Sequence, residues 1–201
     1  MVRTIILDLG NVIVPFDFGR AYCRMEALCG LDRAEIRSRI AGRNLAHLLE
    51  SGRIDPQSFV GQMNEVLGTR LSFDAFRDIW VSIFLPETLI DDRLVGTLGE
   101  RYRLLLLSNT NAIHFDWLDA HYPILRHFHH RILSHEVGAA KPDPLIYAET
   151  LRHAAGQPHE CFFTDDVLEF VEGARRAGID AEQFQGQDKL VTDLQARGVE
   201  L

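Results

Sequence analysis

Thr4-Ile5-Ile6-Leu7-Asp8-Leu9-Gly10-Asn11-Val12 stands almost at the start of the chain. Apolar, partly β-branched residues run straight into one carboxylate, then into a glycine and an asparagine. A continuous apolar run of this length, closed by turn formers, reads as a strand buried on both faces, as in parallel sheets. Asp8 then stands at the carboxyl end of a central strand. Open α/β sheets bind their ligands in the crevice just outside those ends.

The 201 residues suit one main domain with a sizeable insertion and can bury a proper core. A net charge of −8 argues against nucleic acid or an anionic membrane as partner, since both need a basic face. An anionic substrate then requires a local positive centre such as a metal ion. No apolar run approaches a membrane span and no secretory leader is legible, so a cytoplasmic protein is expected. Cys23, Cys29 and Cys161 form no metal-type pair and read as buried thiols of a reducing compartment.

Outward from the first strand the composition changes. Helical spacing is expected over Ala21 to Leu28, Arg33 to Ile40, Leu45 to Leu49, Gln57 to Leu67 and Phe73 to Phe84. Asp32, Asp55 and Ser72 read as N-caps, and Gly30 and Gly68 as stops. Strands return with Leu104 to Leu107, Arg131 to Ser134, Cys161 to Phe163 and Ala181 to Phe184, separated by helices. The expected architecture is therefore α/β: a Rossmann-like, doubly wound parallel sheet from residues 1–16 and 86–201, with an α-helical cap inserted as residues 17–85.

Three of these strands end in polar groups: Asp8, Ser108-Asn109 and Asp165-Asp166. Lys141 sits in a loop just before a helix. In a parallel sheet such ends converge on one crevice. Each group has an ordinary alternative: a solvated loop lysine, a helix-capping Ser108, an acidic pair capping the helix near Leu168. Their joint placement is what carries chemistry. Neighbouring carboxylates raise each other's pKa unless a cation sits among them, and oxygen ligands shared with water and phosphate suit Mg²⁺. Lys141, the Ser108 hydroxyl and the Asn109 N–H are fit to hold the oxygens of a phosphoryl group in transfer. Asp8 is the candidate nucleophile, through an aspartyl-phosphate intermediate.

In these four signatures the chain resembles the haloacid dehalogenase-like hydrolase superfamily over essentially its whole length. The resemblance implies Mg²⁺ held by Asp8, the backbone carbonyl of Gly10, and one of Asp165 or Asp166. Substrate contacts are implied at Leu9, Gly10, Ser108, Asn109 and Lys141. Asp8-Leu9-Gly10-Asn11-Val12, the Ser108-Asn109-Thr110-Asn111 run with His114 behind it, and the Gly52-Arg53-Ile54 turn are similar to the α-D-glucose-1-phosphate phosphatase type. Two positions depart from the superfamily pattern. Gly10 stands where most such phosphatases carry an Asp as general acid and base, and Phe170 stands where many relatives place an Asn.

The activity expected is that of a Mg²⁺-dependent phosphomonoesterase on a small phosphorylated metabolite, such as glucose 1-phosphate, whose anomeric leaving group departs readily. Asp17, His114 and His47 are candidates for the missing proton work or for cap contacts, with Glu50 beside His47. An exposed loop Asp and a helix-surface His are the ordinary readings of the first two. His127, His129, His130 and His135 match no compact zinc pattern and read as a solvated loop. Two rival readings remain. Gly10 fits a catalytically inactive module that binds phosphate or a partner. Halide departure needs no acid, which fits a 2-haloacid dehalogenase, although the intact acidic pair Asp165-Asp166 argues against it.

Overall fold

The computed structural model describes residues 1–201. Strand β1 (Thr4–Leu7) is wholly buried, as its unbroken apolar sequence requires. Five helices follow: α1 (Phe18–Cys29), α2 (Arg33–Gly42), α3 (Leu45–Glu50), α4 (Pro56–Leu67) and α5 (Phe73–Trp80). The chain returns through α6 (Asp92–Arg101) to β2 (Arg103–Ser108), α7 (Ala112–His121), β3 (His130–Leu133), α8 (Ser134–Val137) and α9 (Pro144–His153). It closes with β4 (Cys161–Asp165), α10 (Leu168–Arg176), β5 (Asp180–Gln183) and α11 (Gln187–Ala196). The strands make one sheet in the order β3-β2-β1-β4-β5, parallel at every pairing.

Because side chains alternate across a strand, the sheet feeds two cores. Ile5, Leu7, Leu104, Leu106 and Phe162 join residues of α6, α7 and α11 on one face. Ile6, Leu105, Leu107 and Phe163 join Ile146 and Tyr147 of α9 and Val171 and Ala174 of α10 on the other. This is the doubly wound α/β arrangement expected. It leaves the carboxyl ends of β1, β2 and β4 side by side.

The helices from α1 to α5 gather round a third cluster. At its centre Phe59, Phe76 and Trp80 pack with ring centroids 5.2–5.7 Å apart. Asp32, Asp55 and Ser72 accept N–H bonds as N-caps of α2, α4 and α5, each stabilising by about 1 kcal/mol. Gly30 and Gly68 end α1 and α4 in the left-handed conformation. The two chain crossings to the sheet run antiparallel: Asp17 N–H donates to Ile83 C=O at 2.8 Å and Leu85 N–H to Pro15 C=O at 3.0 Å.

Several expectations are corrected. α5 ends at Trp80, followed by a 3-10 turn over Val81–Ile83, because Phe84 must extend to pair with Phe16. β3 starts at His130, and Ser134 opens α8. The helix α6 was not expected from sequence. Its Gly96 and Gly99 weaken helical propensity, yet the latter lets His127 approach so closely that a Cβ there would lie 2.8 Å from the His127 carbonyl. Of the three cysteines only Cys161 is buried; Cys23 is exposed and Cys29 half-buried.

Candidate active site

Asp8 follows directly on β1, held by a bond from its N–H to Thr164 C=O of β4 at 3.1 Å. The chain then turns sharply. Asn11 takes a positive φ of 53°, which Asn tolerates better than most residues. Its amide oxygen accepts from Phe16 N–H, and its Nδ2 donates to Asp166 Oδ2, both at 3.4 Å. The Phe16 ring folds over Gly10, where a Cβ would meet Phe16 Cε1 at 2.8 Å. Any side chain at position 10 would have to displace that ring.

Lys141 is not a solvated loop lysine. It is 4% exposed, and its Nζ donates to Asp8 Oδ1 at 2.6 Å, Asp165 Oδ2 at 2.5 Å and Leu107 C=O at 3.1 Å. Asn109 fixes the loop that carries it. The Asn109 Oδ1 accepts from Lys141 N–H at 2.7 Å, and its Nδ2 donates to Lys141 C=O at 2.9 Å. The rings of Phe163 and Phe170 flank the ammonium, with centroids 5.6 and 5.2 Å from Nζ, so the departure at Phe170 puts an aromatic face against the charge. Ser108 is not a helix cap, since Asn111 caps α7. The acidic pair does not cap α10 in the usual way either: Val167 occupies that position, and its N–H donates to Asp165 Oδ1 at 2.9 Å.

Asp8, Asp165 and Asp166 bring carboxylate oxygens within 4.8 Å of one another. Burial holds the Asp8 carboxyl up at about 7, opposed by the Lys141 ammonium and reinforced by Asp165. The Lys141 ammonium is raised, because its two carboxylate partners outweigh its burial. Asp166 is raised by burial and by Asp165. Three acids with one ammonium leave an excess of negative charge, which a hard divalent cation is suited to balance.

The candidate acids separate. Asp17 caps α1 through a 2.7 Å bond from Gly19 N–H. His114 is not on a helix surface. It is buried, with Nε2 3.1 Å from Trp80 C=O and Nδ1 3.1 Å from Asn111 Nδ2, and burial holds its pKa down at about 4. His47 is exposed, while Glu50 is half-buried with its carboxyl raised to about 7 by burial. His127 pairs with Asp92, His129 Nδ1 accepts from Leu104 N–H, His130 stacks on His153, and His135 Nδ1 lies 3.2 Å from Thr110 C=O.

Two cavities meet at Asn109. One of about 100 Å³ is lined by Leu9, Gly10, Phe16, Glu50 and Ser108 among others. The other, about 340 Å³, is lined by His47, Glu50, Arg53, Lys141 and Asp143. A larger cleft of about 510 Å³ lies elsewhere, between α5 and α7, and reaches none of Asp8, Asp165 and Asp166. Sequence reasoning missed Ser134, which joins the two helical layers at this point. Its Oγ accepts from Thr110 N–H at 2.9 Å and lies 2.6 Å from the Glu50 carbonyl. Nothing in a Leu-Ser-His run signals that role.

The four sequence signatures thus share one crevice at the carboxyl ends of a parallel sheet, as in α/β hydrolytic enzymes of the doubly wound class. A family profile described as haloacid dehalogenase-like hydrolase matches residues 2–178, and the chain belongs to that family. It is 37% identical to glyceraldehyde 3-phosphate phosphatase of Methanopyrus kandleri, covering 89% of this chain and 82% of that protein. It is 25% identical to D-ribitol-5-phosphate phosphatase of Bacteroides thetaiotaomicron, covering 94% and 93%. Among solved structures, a HAD family enzyme of Bacteroides thetaiotaomicron in complex with magnesium and inorganic phosphate superposes with a TM-score of 0.83 at 26% identity, covering 91% of this chain and 94% of that one.

Proposed function

We propose that this hydrolase is a magnesium-dependent phosphomonoesterase acting on a small phosphorylated metabolite of the sugar or polyol kind, with residues 17–85 as its cap and residues 1–16 and 86–201 as its core. The observation that carries the reading is the Lys141 ammonium, buried between Asp8 and Asp165 at 2.6 and 2.5 Å with Asp166 beside them. The named relatives, phosphatases of ribitol 5-phosphate and glyceraldehyde 3-phosphate, support the substrate class.

Asp8 is the nucleophile. One of its oxygens bonds to phosphorus as the ester oxygen leaves, and water then cleaves the aspartyl phosphate. Lys141 favours the ionised form of Asp8 against its burial and aims it, while Ser108 and the Asn109 N–H donate to the phosphoryl oxygens. The donor set suits Mg²⁺, because every available group is a hard oxygen. Asp165 spends both oxygens on Lys141 and Val167 N–H. Asp166, with one long contact to Asn11, therefore joins Asp8 and the Gly10 carbonyl as the ligand set. Bound there, the ion would offset charge on the phosphoryl oxygens. Gly10 adds no carboxyl beside the nucleophile, which favours esters with acidic leaving groups, glucose 1-phosphate among them.

Phosphate release from a panel of sugar, polyol, acyl and nucleotide phosphates tests the reading. Activity should need Mg²⁺ and stop with a chelator. Asp8→Asn should lose roughly a thousandfold or more on every substrate while melting as a folded protein. A wild-type protein that releases no phosphate, or an active Asp8→Asn variant, ends the proposal.

A further inference from the structure

A phosphomonoester of an ordinary alcohol leaves as a strongly basic alkoxide, so its departure calls for a proton donor on the leaving-group side. Few groups around the site can act. Lys141 is locked between two carboxylates. His114 is sealed between Trp80 and Asn111, Asp17 is committed to α1, and Gly10 is covered by the Phe16 ring. Glu50 remains. It ends α3 and lines the smaller cavity from the cap, while Leu9, Gly10 and Ser108 line it from the ends of β1 and β2.

From this geometry we infer that Glu50 is the general acid and base of the reaction, supplied by the cap rather than by the nucleophile loop. The inference rests on the phosphomonoesterase reading. As Asp8 bonds to phosphorus and the P–O bond to the alcohol breaks, the electron pair passes to the leaving oxygen, which takes the Glu50 proton. In the second half Glu50, now a carboxylate, accepts a proton from the water that attacks phosphorus. The P–O bond to Asp8 breaks and both groups are restored. Glu50 is neither lost nor consumed.

Three features equip it. The backbone is fixed, because the Ser134 hydroxyl engages the Glu50 carbonyl and Gly52 packs directly on the His135 carbonyl. Its carboxyl has no charged or hydrogen-bonding partner; burial alone raises it, to about 7, where a group can both give and take a proton. The charged and titratable groups around its cavities are His47 of α3, Arg53 of the turn after it, Lys141 and Asp143 of the loop before α9, and His114 of α7. His135 and Glu136 belong to α8, which packs on α3, and none of these groups pairs with Glu50. With this donor, alkyl phosphates come within reach as well as sugar 1-phosphates.

The test compares leaving groups in wild type and Glu50→Gln by kcat/KM, which reports only the steps through departure of the alcohol. For an alkyl ester such as glycerol 3-phosphate the variant should lose about a hundredfold or more. For p-nitrophenyl phosphate, whose phenolate departs unprotonated, it should lose only a few-fold. The wild-type kcat/KM for the alkyl ester should also fall above about pH 7, and that limb should vanish in Glu50→Gln. Equal losses on the two esters, or a limb that persists in the variant, would overturn the assignment to Glu50. They would leave the phosphatase reading standing, which fails only if the wild-type protein releases no phosphate.

Discussion

His114 lines the smaller cavity, but both its ring nitrogens are already engaged. Its imidazole sits face to face with the Trp80 indole, 5.3 Å between centroids and 15° between planes, and is bonded to the Trp80 carbonyl. A neutral ring suits that slot. The folded pKa is about 4 against 6.5 for a free histidine, so the unfolded chain binds the extra proton first. Above pH 6.5 the titration of His114 makes no difference to stability. Between 6.5 and about 4 it drains stability as pH falls, by on the order of 3 kcal/mol in full, and below that the loss is constant. Urea unfolding at pH 7.5 and pH 4.5 should therefore show a smaller difference for His114→Gln than for wild type. An identical difference would mean that the ring is charged, or exposed, in the native protein.

At the scale of elements, the turn after α3 rests on α8. Gly52 has a φ of 66°, and a Cβ there would sit 2.2 Å from the His135 carbonyl oxygen. Both the left-handed backbone and the close approach demand glycine. Gly52→Ala should cost about 2 kcal/mol from the backbone alone, with a melting temperature lower by roughly 4–8 °C for a chain of this size. KM should rise too, since the turn carries Glu50 over the pocket. An unchanged melting temperature would show that this turn does not rest on α8 in solution.

On the scale of the whole molecule, acidic charge is concentrated where a cation is needed. Asp8, Asp165 and Asp166 come from opposite ends of the chain and are compensated by one ammonium. An ion that binds only the folded state stabilises it by mass action, by about 2.7 kcal/mol at a hundred times its dissociation constant. Saturating Mg²⁺ should raise the melting temperature of the wild-type protein by roughly 5–10 °C. A chelator should reverse the rise, and Asp166→Asn should abolish most of it. If Asp165→Asn alone abolished it while Asp166→Asn did not, the two carboxylates would have to exchange roles.

Much of this was legible in the chain itself, and the residues say why. An unbroken Thr4-Ile5-Ile6-Leu7 has no polar face, so it can only be an inner strand, and Asp8 at its end has nowhere to go but the crevice. Asp32, Asp55 and Ser72 announce helix starts through bonds made within four residues. Such local chemistry, with strands and helices in alternation, determined the sheet and the meeting of Asp8, Ser108, Lys141 and the acidic pair. The tertiary structure alone decided what depends on distant approach: that Phe16 fills the space at Gly10, that Asp165 rather than Asp166 holds Lys141, that His114 is sealed under Trp80, and that Ser134 docks Glu50 over the pocket. A sequence records which groups a chain carries and how its neighbours along the backbone must fold. Which group is stripped of water, and by whom, is set by side chains that meet only after the fold has closed.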